Sequence, residues 1–235
     1  MKRELLILTG AALCLGHAEP VFAAPMISNL NQLWPGPSMG NFEAVLPGHG
    51  YGFMFQTGSL PFYFNSAVLE EVGGPGTVQV SLYTVQGDPL AGRNPSLVLA
   101  GALVNHVVDS RPTQWPGYTS FIDYSAANPI TLQPNTYYLI AATQPVNGDN
   151  NTALTFNFNY SYDVAGDWTV DQAVPSGWTY FGVNPPTSPF SGWMPDDSPG
   201  SIKIEVNATP VPEPGSYLVV LLGCALWSAR RIKLA

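Results

Sequence analysis

Two adjacent carboxylates, Glu70 and Glu71, are the first place to look for acid–base chemistry in this chain. A carboxyl pair that works on one bond must have both groups facing that bond. These two lie in a run with strand character, where successive side chains point to opposite faces. The spacing therefore argues against a catalytic pair, and one of the two is expected at a strand edge. Asp196 and Asp197, inside Met194-Pro-Asp-Asp-Ser-Pro-Gly200, offer oxygen ligands of the kind calcium takes. No alternating Asp/Asn loop with a closing Glu accompanies them, so a solvated turn is the plainer reading. No cofactor is expected, and that loop is the one weak candidate for calcium. Asn147-Gly-Asp-Asn-Asn151 reads as a hairpin tip. Asp163, Asp167 and Asp171 recur every fourth residue, but the residues between them read as strand and turn rather than helix. His49 and His106 stand alone, without the ligand spacing of a zinc site or the neighbours of an activated nucleophile. No glycine-rich nucleotide loop is present.

The tryptophans are the remaining binding feature. Trp34, Trp115, Trp168, Trp178 and Trp193 sit among prolines and glycines rather than in strand interiors. Flat exposed rings stack on sugars, which makes Trp178 and Trp193 candidate glycan contacts and an exopolysaccharide a candidate partner. The competing reading is that such rings cap the open ends of a β fold and bury most of their area there.

The elements that would position these residues follow from composition and periodicity. Between residues 24 and 211 only Arg93, Arg111 and Lys203 are cationic, against thirteen carboxylates. So acidic a body has no basic patch for a phosphate backbone, which excludes nucleic acid. Both cysteines, Cys14 and Cys224, lie outside this stretch, so it must fold without a disulfide. Apolar residues alternate with polar ones at Val78/Val80/Leu82, at Leu154/Phe156/Phe158/Tyr160 and at Ile202/Ile204/Val206. That period of two predicts half-buried strands over 77–84, 154–161 and 201–207. Less regular strands are expected at 51–56, 63–71, 97–104 and 137–142. Turn clusters at Gly73–Gly76, Gln86–Pro89, Gln133–Asn135 and Asn147–Asn150 separate them. No helical stripe appears. The expected fold is all-β, an antiparallel two-sheet sandwich of jelly-roll type. Residues 163–200 are read as short strands joined by long loops.

The two ends differ from the body. Lys2 and Arg3, the apolar run Leu5–Gly16 and the small residues at Val21-Phe22-Ala23 have the layout of a secretory signal helix, with cleavage expected after Ala23. At the far end Pro212-Glu213-Pro214 precedes an apolar run containing Tyr217, Leu218, Val219, Val220, Leu221, Leu222 and Trp227. Arg230, Arg231 and Lys233 then close the chain, a basic stop expected on the cytoplasmic side of a membrane. As a helix this run is short for a hydrocarbon core of about 30 Å.

In this order the Val-Pro-Glu-Pro motif, the apolar run and the basic tip resemble the PEP-CTERM sorting domain of exported bacterial proteins. The resemblance implies recognition by an exosortase-type membrane enzyme, processing near Pro212-Glu213-Pro214 and delivery to the cell surface or matrix. The body resembles the choice-of-anchor domains. The residues that carry this are Ser28-Asn29-Leu30, Phe55-Gln56-Thr57-Gly58, Phe64–Leu69, Val80–Tyr83 and Ile130–Leu139. That resemblance implies a surface-located β-sandwich and no particular site. The sequence thus predicts a signal segment 1–23, a sandwich 24–210 and a sorting segment 211–235. The protein is expected to be exported and non-enzymatic, with a structural or interaction role; a carbohydrate-binding module is the alternative.

Overall fold

The computed structural model describes residues 23–32, 42–73, 78–87, 96–145, 153–157, 161–170, 178–181, 193–195 and 201–212. Sixteen strands follow one another in these segments. They are β1 (Ala24–Ser28), β2 (Phe42–Ala44), β3 (His49–Gln56), β4 (Phe62–Val72), β5 (Gln79–Gln86), β6 (Ser96–Leu103), β7 (Asn105–Val108) and β8 (Thr119–Leu132). The chain continues through β9 (Tyr137–Thr143), β10 (Ala153–Asn157), β11 (Asp163–Val164), β12 (Thr169–Val170), β13 (Trp178–Phe181), β14 (Trp193–Pro195), β15 (Ser201–Ile202) and β16 (Ile204–Pro210).

The strands form a nine-stranded and a seven-stranded sheet. The first is built around β4, flanked by β8 on one side and by β16 and β10 on the other, with β1 and β11 beyond β16 and β7 beyond β8. The second runs β14-β13-β3-β9-β5-β6, with β12 also on β3. One hydrophobic core fills the space between them. Ile27, Phe64, Leu69, Ile122, Ile204 and Val206 come from the first sheet; Phe53, Phe55, Val80, Leu82, Tyr138 and Ile140 come from the second. The all-β two-sheet sandwich expected from period-two patterning is the fold observed. Among the described residues no helix is long and apolar enough to cross a membrane.

Residues 23–209 form one compact unit. Its first and last strands are neighbours: Ala24 lies opposite Ala208 and Ile27 opposite Val206.

Some local readings change. The longest strand, β8, carries the run Ser125-Ala-Ala-Asn-Pro129, whose proline and small residues gave no strand signal. β10 is described over Ala153–Asn157, and residues 158–160 of the strand expected to Ser161 lie outside the described residues. Glu70 and Glu71 are not at an edge. Both are fully buried near the end of β4, which has neighbours on both sides. β16 is not half-buried either, because its polar residue Glu205 is buried along with Ile204 and Val206, as is Lys203 just before it.

One junction ties the two sheets together through motifs that are far apart in sequence. Thr57 donates its hydroxyl to the Gln133 carbonyl at 2.6 Å and accepts the Thr136 N–H at 3.0 Å. The Asn135 N–H reaches the Gly58 carbonyl, with Asn135 in the left-handed region at φ 49° that Asn tolerates. Asp167 accepts the Ser59 N–H at 2.7 Å. A Cβ at Gly58 would sit 1.6 Å from Asp167 Oδ1, so a larger residue there would displace the carboxylate that holds Ser59.

Candidate functional site

The chemistry-bearing residues gather on the outer face of the nine-stranded sheet. Opposed residues of antiparallel strands share a face. Phe121 lies opposite Glu70 and, with Leu30 and Val68, forms a small cluster separate from the main core. Glu70 therefore points outward. There its Oε2 lies 3.1 Å from Lys203 Nζ, and its Oε1 accepts the Thr119 hydroxyl at 2.8 Å. The two side chains are 0% and 2% exposed. The Glu70 N–H bonds the Lys203 carbonyl, and the Lys203 N–H bonds the Thr155 carbonyl, so the ion pair sits on a fixed stretch of backbone.

What covers this pair is the ten-residue loop 109–118 of the β7–β8 hairpin, folded back over the sheet. Its anchor is Arg111. The guanidinium donates two hydrogen bonds to Glu205, both 3.0 Å, and a third from Nε to Asp109 at 2.6 Å. Planar bidentate pairing of this kind is the geometry for which arginine is suited. Glu205 also accepts from Ser28 and Asn207, which ties β1 into the same network. The Arg111 guanidinium lies 5.5 Å from the Phe121 ring centroid, and Lys203 Nζ lies 5.8 Å from that of Trp115. Thr113 caps the loop by donating to the Thr119 carbonyl.

The electrostatics are those of opposed charges: Glu70 with Lys203, and Arg111 with Asp109 and Glu205. The Glu205 hydrogen bonds, more than any other cause, raise the proton affinity of Arg111 above its ordinary value. Asp123, on the same face, is pushed up chiefly by burial. On the inner face Glu71 accepts the Tyr124 hydroxyl at 2.5 Å, and burial together with that carboxylate drives the phenol far above its ordinary value. Glu70 and Glu71 thus serve opposite faces and cannot flank one bond. A recess of about 250 Å³ opens beside this network, between Ser28, Asn31, Asp163 and Glu205. Its carboxylates offer acceptors, so it suits neutral or cationic groups rather than anions. Among the described residues no three of His, Cys, Asp and Glu are grouped to hold a metal ion.

The residues singled out from the sequence fall elsewhere. His49 lies on the seven-stranded sheet and His106 on the nine-stranded one, beside the Tyr124 ring. Trp168 is 3% exposed in the core, stacked on Phe55 at 5.5 Å and edge-on to Phe62 at 5.1 Å, as the end-capping reading expected. Trp178 and Trp193 are strand residues rather than loop residues: they open β13 and β14, because pairing with β3 extends the sheet into this proline-rich stretch. Pro212 is exposed just after β16. Glu213, Pro214, the apolar run to Trp227, Arg230, Arg231 and Lys233 lie outside the described residues, as do the signal segment, Asp196 and Asp197, and Asn147–Asn151.

The residues that sequence reading missed are Arg111, Lys203 and Glu205. A signal was there: with so few cations in so acidic a body, each cation is expected to have a carboxylate partner. Comparison with family models and with curated proteins returns no match for this chain.

Proposed function

We propose that this chain is an exported, surface-sorted structural or interaction protein of the cell envelope or extracellular matrix, without catalytic activity. Its tail Pro212–Lys233 is the substrate of an exosortase-type enzyme and a membrane segment until it is processed. One observation supports this most: the sandwich begins and ends at the same place. β1 starts at Ala24, directly after the expected cleavage position, and lies against the end of β16, directly before Pro212. Both terminal segments can be cut without touching a strand. The outer-face network fits the same reading, since Arg111 and Glu205 are used to hold a loop to the sheet. The test is surface labelling of intact cells with a membrane-impermeant tyrosine-directed reagent, for which Tyr63 and Tyr118 are exposed targets, followed by fractionation. Labelled protein in the envelope or medium supports the proposal; unlabelled protein confined to the cytosol contradicts it.

A second reading, carbohydrate binding, keeps one supporting feature. The β13–β14 register sets Tyr180 opposite Trp193, with Trp178 two residues away, so three aromatic positions share one hairpin. Retention of the protein on matrix polysaccharide, lost in Trp178→Ala and Trp193→Ala, would favour it. No retention leaves the structural reading.

A further inference from the structure

Sheet edges are where β proteins join one another unless something blocks them: a charge, a proline or extreme shortness. Most edges here are blocked. β11 has two residues and carries Asp163, β14 ends in Pro195, β2 has three residues and carries Glu43, and β15 has two. The side of the sandwich formed by β6 and β7 is different. β6 is the end strand of its sheet, and β7 pairs only with β8 among the described residues. Gly101 of β6 packs directly on Ile130 of β8, where a Cβ would lie 2.5 Å from the Ile130 methyl, so the two free edges lie on the same side. From Ser96 to Val108 there is no Lys, Arg, Asp, Glu or Pro. Among the described residues, five of the ten exposed large hydrophobics fall in this stretch: Val98, Leu99, Val104, Val107 and Val108, with Val107 67% exposed.

We infer that this side is a self-association edge, and that β7 of one molecule pairs antiparallel with β7 of a second copy to continue the nine-stranded sheet across a twofold axis. β7 is chosen over β6 because β6 carries a bulge at Ala100 that interrupts its ladder, while all four residues of β7 are exposed. The occupant follows from charge. The chain carries a formal net charge of −8, so two copies repel wherever their carboxylates face each other. This uncharged run is where they can meet without that cost, whereas a cationic partner would find no carboxylate here to pair with. Antiparallel pairing of a strand with its own copy is isologous and closes at the dimer. Five side chains fall short of the roughly 800 Å² per partner of a standard interface, so the dimer is weak and concentration-dependent. This inference goes beyond the proposed function and does not depend on the terminal segments being sorting signals.

Sedimentation velocity of the full chain in a mild detergent, from low micromolar to submillimolar protein, tests it. The expected result is a monomer that becomes a dimer with rising concentration, and that stays monomeric throughout in Val107→Lys and in Val108→Lys. Both sites are solvent-exposed, and unchanged far-ultraviolet circular dichroism shows that the variants fold. A wild-type chain that is monomeric throughout overturns the inference and leaves this edge to a different partner. A dimer that persists in both lysine variants also overturns it, placing the contact elsewhere, the C-terminal segment included.

Discussion

On its outer face the nine-stranded sheet carries Glu70, Lys203, Glu205 and Arg111, whereas the seven-stranded sheet buries Met54, Val85, Leu97, Leu139 and Ala141 in an apolar cluster. Alternation puts Leu139 and Ala141 on the face opposite Tyr138, Ile140 and Ala142, which fill the main core. The apolar cluster is held by area and packing, which are non-directional and not screened by moderate salt. The charged face is held by directed pairs, which fix one loop in one place and depend on every member being present. A body without cysteines can thus fasten a ten-residue loop with charge rather than with a disulfide.

The comparison is broken most severely at Lys203. Lys203→Ala leaves Glu70 buried and unpaired, and urea denaturation should show a loss of about 3–5 kcal/mol, while the double replacement Glu70→Leu with Lys203→Met recovers most of it. A single-variant cost below about 1 kcal/mol would mean the pair is hydrated rather than buried. On the other sheet Leu139→Ala should cost about 2–5 kcal/mol by cavity formation, with no dependence on salt.

Arg111→Ala comes next. Its side chain is 42% exposed, so the expected loss is only about 1 kcal/mol after allowing for screening. Hydrogen exchange should nevertheless speed up across 109–118 while β9 is unchanged, and added salt should mimic the variant in part. Equal protection of both segments in wild type and variant would show that the loop is held by packing alone.

The smallest effects are pH-dependent and opposite in sign. The Ser59 N–H holds the Asp167 carboxyl below its ordinary value of 3.8. Its contribution is therefore complete above 3.8 and is lost as pH falls through the lower folded value. Burial raises Asp123 above the same ordinary value, so it begins to oppose folding as pH rises above 3.8 and does so in full above the raised value. Melting temperatures at neutral pH should fall slightly in Asp167→Asn and rise slightly in Asp123→Asn. Both differences should vanish in strongly acidic solution.

These contrasts also explain what could be read in the sequence. β5 alternates cleanly over Gln79–Leu82, where Val80 and Leu82 enter the core and Gln79 and Ser81 do not, and its strand was legible. β9, Tyr137–Thr143, shows no alternation because both faces are covered, one by the core and one by the Met54 cluster. β16 misled in the opposite sense. Ile204 and Val206 alternate with polar residues as a half-exposed strand would, yet Glu205 is covered by a loop whose position depends on pairing with Arg111, 94 residues away. No local pattern records such a partner. The burial of Trp168 was not legible locally because it comes from Phe55 and Phe62, over a hundred positions upstream, rather than from its own neighbours.

The most direct check on the functional account is the intact mass of the protein recovered from the cells that make it. The account predicts a species lacking the first 23 residues and everything beyond about Pro214, so that β1 and β16 form its two ends. A full-length mass of 235 residues, recovered from the cytosol, would contradict it.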